Sequence, residues 1–101
     1  MSVQPALASA ASSGAAFYSV HAPADPSVMP RVLEVFAKRG LVPSRWYSTL
    51  AGPGGEEMHI DIHISGLEPG MGDRLAVLLR QLVCVETVLT SVPPVELPRP
   101  G

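Results

Sequence analysis

The chain has 101 residues, of which 47% are hydrophobic and 16% charged, and its formal net charge is −2 at pH 7. This length suits one globular domain, because two cores of half the size would each need disulfides or metals to hold them together. The single cysteine, Cys84, excludes an internal disulfide or a CxxC zinc or redox motif, and the mild acidity argues against a protein that coats nucleic acid.

The two ends of the chain differ in composition from its middle. Residues 1–15 are mostly Ala, Ser and Gly, which predicts a flexible leader, and residues 92–101 hold four of the eleven prolines, which predicts an extended or disordered tail. The start lacks the features of a signal peptide, and no run of about 18 apolar residues would span a membrane. We therefore expect a cytoplasmic protein with no membrane contact, folded over residues 16–91.

The folded part opens with a short predicted strand and a loop. Residues 16–21, Ala-Phe-Tyr-Ser-Val-His, are rich in aromatic and β-branched side chains, which favour a strand. Residues 21–27 contain Pro23 and Pro26, which argue against a ladder or a helix there. We therefore expect the chain to leave the sheet at His21.

A helix is predicted over residues 28–39. Its apolar positions recur at helical spacing, and they are Met29, Val32, Leu33 and Phe36. We expect Asp25 or Ser27 to cap its first N–H groups, and Pro30 fits its first turn, where a missing N–H is tolerated. Gly40 is the residue expected just beyond its C-terminus.

The next elements are predicted to form a hairpin. Residues 42–50 read as a strand on which Trp46 and Tyr47 point to opposite faces, and the glycine-rich residues 51–55 predict the turn. Residues 58–64 alternate strictly. One face of that strand carries Met58, Ile60, Ile62 and Ile64, and the other carries His59, Asp61 and His63.

A second helix and a last strand complete the predicted fold. The helix shows an apolar stripe made of Leu75, Leu78, Leu79 and Leu82, with a cap near Gly72 or Asp73, and residues 85–90 read as a strand. The order β-α-β-β-α-β predicts an α+β, ferredoxin-like sandwich, in which two helices cover one face of a four-stranded antiparallel sheet. Because the other face is left bare, we expect a homodimer.

Two stretches of the chain resemble an ACT domain. Residues 25–41, Asp-Pro-Ser-Val-Met-Pro-Arg-Val-Leu-Glu-Val-Phe-Ala-Lys-Arg-Gly-Leu, resemble its opening loop and helix, and residues 79–88 look like its second helix running into the last strand. The sequence is most similar to the ACT domain of the short regulatory subunit of acetolactate synthase. Over residues 16–91 the resemblance implies a non-catalytic regulatory module that pairs with a second copy. Such a module binds an amino-acid effector, or serves as the small subunit of an enzyme of branched-chain amino-acid biosynthesis.

The binding site implied by the resemblance lies in the loop before the first helix. Asp25 would bind the ammonium group of the amino acid, Val28 and Met29 would contact its side chain, and the helix N-terminus would face its carboxylate. Where the family usually has Gly, Ser27 either blocks a close backbone approach or adds a hydroxyl of its own. Where the family often has Asn, Val42 removes a polar contact. A ligand-free structural or interaction module on the same fold is therefore the alternative.

Other chemistries find little support in the residues. His59, Asp61 and His63 share a strand face, but neighbours there lie about 6.5–7 Å apart, so a single zinc ion would not reach all three without a strong bend. We expect a polar sheet face or a dimer contact instead, and no metal site. No nucleophile elbow or phosphate-binding loop occurs, so no cofactor is expected. The third predicted strand lacks the aromatic side chains of an RNA-binding sheet, so we expect no nucleic-acid partner.

Overall fold

The computed structural model describes residues 14–91, which form four strands and two helices in the expected order. The strands are β1 (Gly14–Pro23), β2 (Arg45–Ala51), β3 (Glu57–Leu67) and β4 (Thr87–Ser91), and the helices are α1 (Val28–Ala37) and α2 (Met71–Arg80). The sheet order is β2-β3-β1-β4, with every neighbouring pair antiparallel. The ferredoxin-like fold is confirmed. The predicted leader, up to residue 13, and the predicted tail lie outside the described residues.

A single core lies between the sheet and the two helices. On β1 and β3 every second side chain is buried, because successive side chains of a strand point to opposite faces. The largest of the fully buried side chains are Tyr18, Val20, Val28, Val32, Phe36, Ile60, Ile62, Ile64, Leu75 and Leu79. Within residues 14–91 no charged side chain is buried, and no helix is long and apolar enough to cross a membrane.

The expectation that the chain leaves the sheet at His21 is wrong, because β1 continues to Pro23. The His21 carbonyl accepts a 2.8 Å hydrogen bond from the Glu86 N–H on the β4 side, whereas the Ala24 N–H donates a 2.9 Å bond to the Glu56 carbonyl on the β3 side. Backbone groups of consecutive strand residues point alternately to the two neighbouring strands, so the nitrogen of Pro23 points toward the β4 side. Pairing with β4 has already ended at that position. The missing N–H of proline removes no ladder bond there.

The strand also begins earlier than expected, at Gly14, because of an irregularity in its ladder with β3. Gly14 pairs with Leu67, but Ala15 pairs with Ser65, which leaves Gly66 as an extra residue on β3. The φ of Gly66 is +76°, a conformation that glycine adopts without steric strain. This β-bulge lengthens β3 beyond its strictly alternating segment.

Proline also shifts the start of β2, which begins at Arg45 rather than at residue 42. Pro43 has no N–H to donate to a ladder. The prediction that the two aromatic residues of this strand point to opposite faces is confirmed. Trp46 packs against the core, and Tyr47 is 56% exposed on the other face. The last strand is likewise shorter than predicted and starts at Thr87.

The C-terminal end of α1 has the geometry that Gly40 predicts. The Leu41 N–H donates to the Phe36 carbonyl and the Gly40 N–H donates to the Ala37 carbonyl, both at 3.0 Å. With a φ of +70° at Gly40, this is a Schellman motif that satisfies the last carbonyls of the helix.

The start of α2 differs from the prediction. The helix begins at Met71 with Gly70 as its cap, in a left-handed conformation with φ of +86°, so the predicted cap at Gly72 or Asp73 is wrong. Asp73 instead lies in the first turn, where its negative charge favours the helix N-terminus. Leu82 lies beyond the last helical residue and still packs against the core.

Tyr18 joins β1 to α2 through the core. Its side chain is 2% exposed, and its hydroxyl donates a 2.6 Å hydrogen bond to the Gly72 carbonyl in the first turn of α2. Burial, helped by the negative charge of Asp73, raises the pKa of Tyr18 from 10.0 to about 12. The phenol therefore stays protonated in the folded protein at a pH where an unperturbed tyrosine ionises.

We expect Tyr18→Phe to lower the free energy of unfolding by about 1–3 kcal/mol at neutral pH, because the buried Gly72 carbonyl loses its partner. Folding raises the pKa of Tyr18, so its stabilising contribution is complete below pH 10 and is lost as the pH rises toward 12. Urea denaturation at several pH values measures the difference in free energy of unfolding between the wild type and Tyr18→Phe. This gap in stability should narrow above pH 10. Tyr47→Phe is the matched exposed control, and a gap that stays constant up to pH 12 would contradict this account.

Candidate functional site

The loop between β1 and α1 is closed by hydrogen bonds that Asp25 accepts. Its carboxylate Oδ1 accepts a 2.9 Å bond from the Ser27 N–H and a 2.8 Å bond from the Ser27 hydroxyl, and its carbonyl accepts a 3.0 Å bond from the Val28 N–H. This is an Asx-type turn. The two bonds from Ser27, and more weakly the charge of Arg31, hold the pKa of Asp25 below its ordinary value. The carboxylate is therefore an exposed, ionised group at neutral pH.

This turn limits what the N-terminus of α1 offers to an anion. Ser27 is the N-cap residue, but neither it nor Asp25 gives the helix the side-chain cap that we expected, because the two residues bond to each other. The Val28 N–H is already bonded to Asp25, and Pro30 has no N–H. The first three positions of the helix thus leave one N–H group, that of Met29, which donates to no acceptor among the described residues. A carboxylate would find one helix N–H there.

The four predicted site residues differ in accessibility. Asp25 and Ser27 are exposed, and Met29 is 37% exposed, with its Sδ atom 3.9 Å from the Ser48 hydroxyl oxygen. Val28 is 1% exposed and belongs to the core. The structure thus exposes three of the four side chains, two on the loop and that of Met29 in the first turn of α1, and their role in ligand binding stays a prediction. Val42, the other position that departs from the family pattern, is 83% exposed.

A second surface is the face of the sheet that carries no helices, which we call the open face. The registers of the three ladders align its side chains in rows that run across all four strands. The rows are Arg45-His63-Phe17-Ser91, Tyr47-Asp61-Ser19-Leu89 and Thr49-His59-His21-Thr87. The first two rows line an open depression of about 440 Å³.

Two ring contacts cross from β1 to β3 on the open face. The ring centroids of Phe17 and His63 lie 4.3 Å apart with an interplanar angle of 72°, and those of His21 and His59 lie 4.0 Å apart with an angle of 13°. The sequence placed His59 and His63 on one face but did not show that His21 lies beside His59. Only the register between β1 and β3 brings this pair together, and that register cannot be predicted from the residue pattern of either strand alone.

Comparisons with known proteins agree with this fold. The family model described as an ACT-like domain matches residues 9–94. The solution structure of the ACT domain from GTP pyrophosphokinase of Chlorobium tepidum is 14% identical, with a TM-score of 0.61, over 78% of this chain and 86% of that chain. The solution structure of the C-terminal domain of the MgtC protein from Mycobacterium tuberculosis is 14% identical, with a TM-score of 0.60, over 79% and 87%. No curated protein matches the sequence.

We expect Ser27→Ala to raise the pKa of Asp25 while leaving it below its ordinary value, because the variant loses the hydroxyl donor but keeps the backbone N–H. A pH titration of the Asp25 carboxyl carbon by NMR measures this change. Ser44→Ala is the matched control, because Ser44 bonds to the His63 carbonyl rather than to the loop. An unchanged pKa in Ser27→Ala would show that the hydroxyl does not hold the carboxylate.

Proposed function

Because the chain belongs to the ACT-like domain family, we propose that it is a regulatory module that binds a small amino acid at the loop between β1 and α1. ACT domains are generally regulatory and non-catalytic. The family membership confirms the resemblance that residues 25–41 carry, whereas the closer similarity to the short regulatory subunit of acetolactate synthase stays a prediction.

The observation that carries this proposal is the exposed Asp25 carboxylate beside the start of α1. One of its oxygens, Oδ1, holds the turn through Ser27, and the other, Oδ2, accepts no hydrogen bond from the described residues. Four residues further along the chain, in the first turn of α1, are the unpaired Met29 N–H and the partly exposed Met29 side chain. An anionic acceptor, a backbone donor and an apolar side chain together match the ammonium, carboxylate and aliphatic parts of a zwitterionic amino acid.

A second copy of the chain would complete this site. The loop is exposed on its own, and ligand pockets usually bury most of a small molecule. The open face presents Phe17, Tyr47 and Leu89, which are 38%, 56% and 58% exposed, and apolar surface of this kind favours association. Because β1 supplies Phe17 to that face and then runs into the loop, we propose that a bound amino acid favours one arrangement of a homodimer.

The response of an associated enzyme would follow from that shift. A ligand changes a partner only through its different affinity for two states of the module. We propose that the partner is the catalytic subunit of a biosynthetic enzyme. The resemblance to the small subunit of acetolactate synthase makes a thiamine-diphosphate enzyme of that kind the first to test by copurification.

A ligand-free interaction module is the second candidate function, and two observations favour it. Val28 lies in the core at 1% exposure, so it would not reach a ligand without a change in packing. The N-terminus of α1 offers one free N–H rather than several. On this alternative the open face binds a protein partner and the loop has only a structural role.

Calorimetric titration with valine, leucine and isoleucine separates the two functions. We expect binding by the wild-type chain, and a loss of about 10-fold or more in Asp25→Asn, because a hydrogen bond to a charged group contributes about 1.5–3 kcal/mol. Asp73→Asn, which changes an exposed carboxylate in the first turn of α2, is the matched control and should bind normally. Absence of heat with a wider set of amino acids, or normal binding by Asp25→Asn, would contradict the proposed site.

Sedimentation velocity tests the dimer. We expect Tyr47→Asp and Leu89→Asp to shift the protein toward monomer, because each places a charge in the apolar part of the open face. Val77→Asp is the matched control, because Val77 is 49% exposed but lies on α2 rather than on the open face. A dimer unaffected by the two open-face variants would mean that the copies pair through another surface.

A further inference from the structure

His21 and His59 are held side by side by the backbone of the sheet. The His21 carbonyl accepts the Glu86 N–H on the β4 side, so toward β3 this residue belongs to a non-hydrogen-bonded pair. Such pairs bring opposite Cα atoms to about 4.5 Å, the closest approach in an antiparallel ladder. The two rings accordingly stack with their centroids 4.0 Å apart and their planes 13° from parallel.

A third side chain that can bind a metal ion lies next to the two histidines. Glu57 stands two positions before His59 on the same face of β3, and its Oε1 atom is 3.7 Å from His59 Nε2. Zinc binds imidazole nitrogen at about 2.0–2.1 Å and carboxylate oxygen at about 2.0–2.2 Å, so one ion can contact both atoms across a gap of this size. The side chains of His59 and Glu57 are 34% and 55% exposed, so an ion can reach them from solvent.

We propose that His21, His59 and Glu57 form a surface site for a divalent transition-metal ion, with Zn²⁺ as the simplest probe. Two imidazoles and one carboxylate are donors that suit Zn²⁺ and its neighbours in the first row. Within residues 14–91 no three such side chains converge in their present rotamers; the two rings are stacked, and His21 Nε2 lies 3.4 Å from the Ser19 hydroxyl oxygen. Binding therefore tilts the His21 ring about its side-chain torsions, and water completes the coordination.

The competing explanation is that the two rings stack only to stabilise the sheet, as cross-strand aromatic pairs do. A substitution by phenylalanine distinguishes metal binding from stacking, because His59→Phe keeps a stacked ring and removes the nitrogen atoms that would bind the metal. His63→Phe is the matched control, because His63 lies on the same strand and face but contacts Phe17 instead of a second imidazole.

The experiment titrates Zn²⁺ into the full, tag-free chain in competition with a chromophoric chelator. We expect one Zn²⁺ per chain, and a loss of at least about 10-fold in affinity in His21→Phe and in His59→Phe, since even the loss of an outer-shell partner has effects of that size. Glu57→Gln weakens binding, and His63→Phe binds like the wild type. Zn²⁺ should also raise the Tm of the wild type but not that of His59→Phe.

The proposal would be overturned by no Zn²⁺ binding at all, by unchanged affinity in His59→Phe, or by an equal loss in His63→Phe. The titration is repeated in Tyr47→Asp, which is expected to be monomeric, and retained binding there shows that a single chain forms the site. Binding that disappears in Tyr47→Asp would contradict a site made by these three side chains of one chain. The amino-acid titrations need no metal, so this proposal and the proposed function succeed or fail separately.

Discussion

The antiparallel ladder between β1 and β3 is the constraint on which the rest of the structure depends. It places Val20 opposite Ile60 on the core side and His21 opposite His59 on the open side. Because side chains alternate along a strand, a slip of one residue would bury the histidines and expose the isoleucines. The buried apolar face of β3 therefore specifies the register, and the register in turn determines which polar side chains meet on the open face.

The same ladder positions the loop that leads into α1. At the end of β1 the Ala24 N–H is bonded to the Glu56 carbonyl, so the chain enters the loop at a fixed point. Asp25 and Ser27 then close the turn through their own hydrogen bonds. The Asp25 carboxylate is thus held in place by the loop itself, and preorganisation of this kind would reduce the entropy lost on binding if an amino acid binds there as proposed.

Much of this architecture was predictable from local patterns, and the remainder depends on pairing between distant residues. The alternation of residues 58–64 identified the buried face of β3, and Gly40 correctly marked the end of α1. Pro23 was misplaced because its effect depends on which neighbouring strand its nitrogen faces. At the candidate site, the residue types were visible in the sequence, but the mutual bonding of Asp25 and Ser27 depends on backbone geometry that composition does not encode.

The apolar composition of the core has a consequence for how such a module can diversify. Within residues 14–91 every charged side chain lies at the surface, so the fold does not rely on buried ion pairs. Substitutions on the loop and on the open face can therefore change charge with little effect on folding. Descendants of one ancestral domain could acquire different effectors and partners while the interior is inherited almost intact.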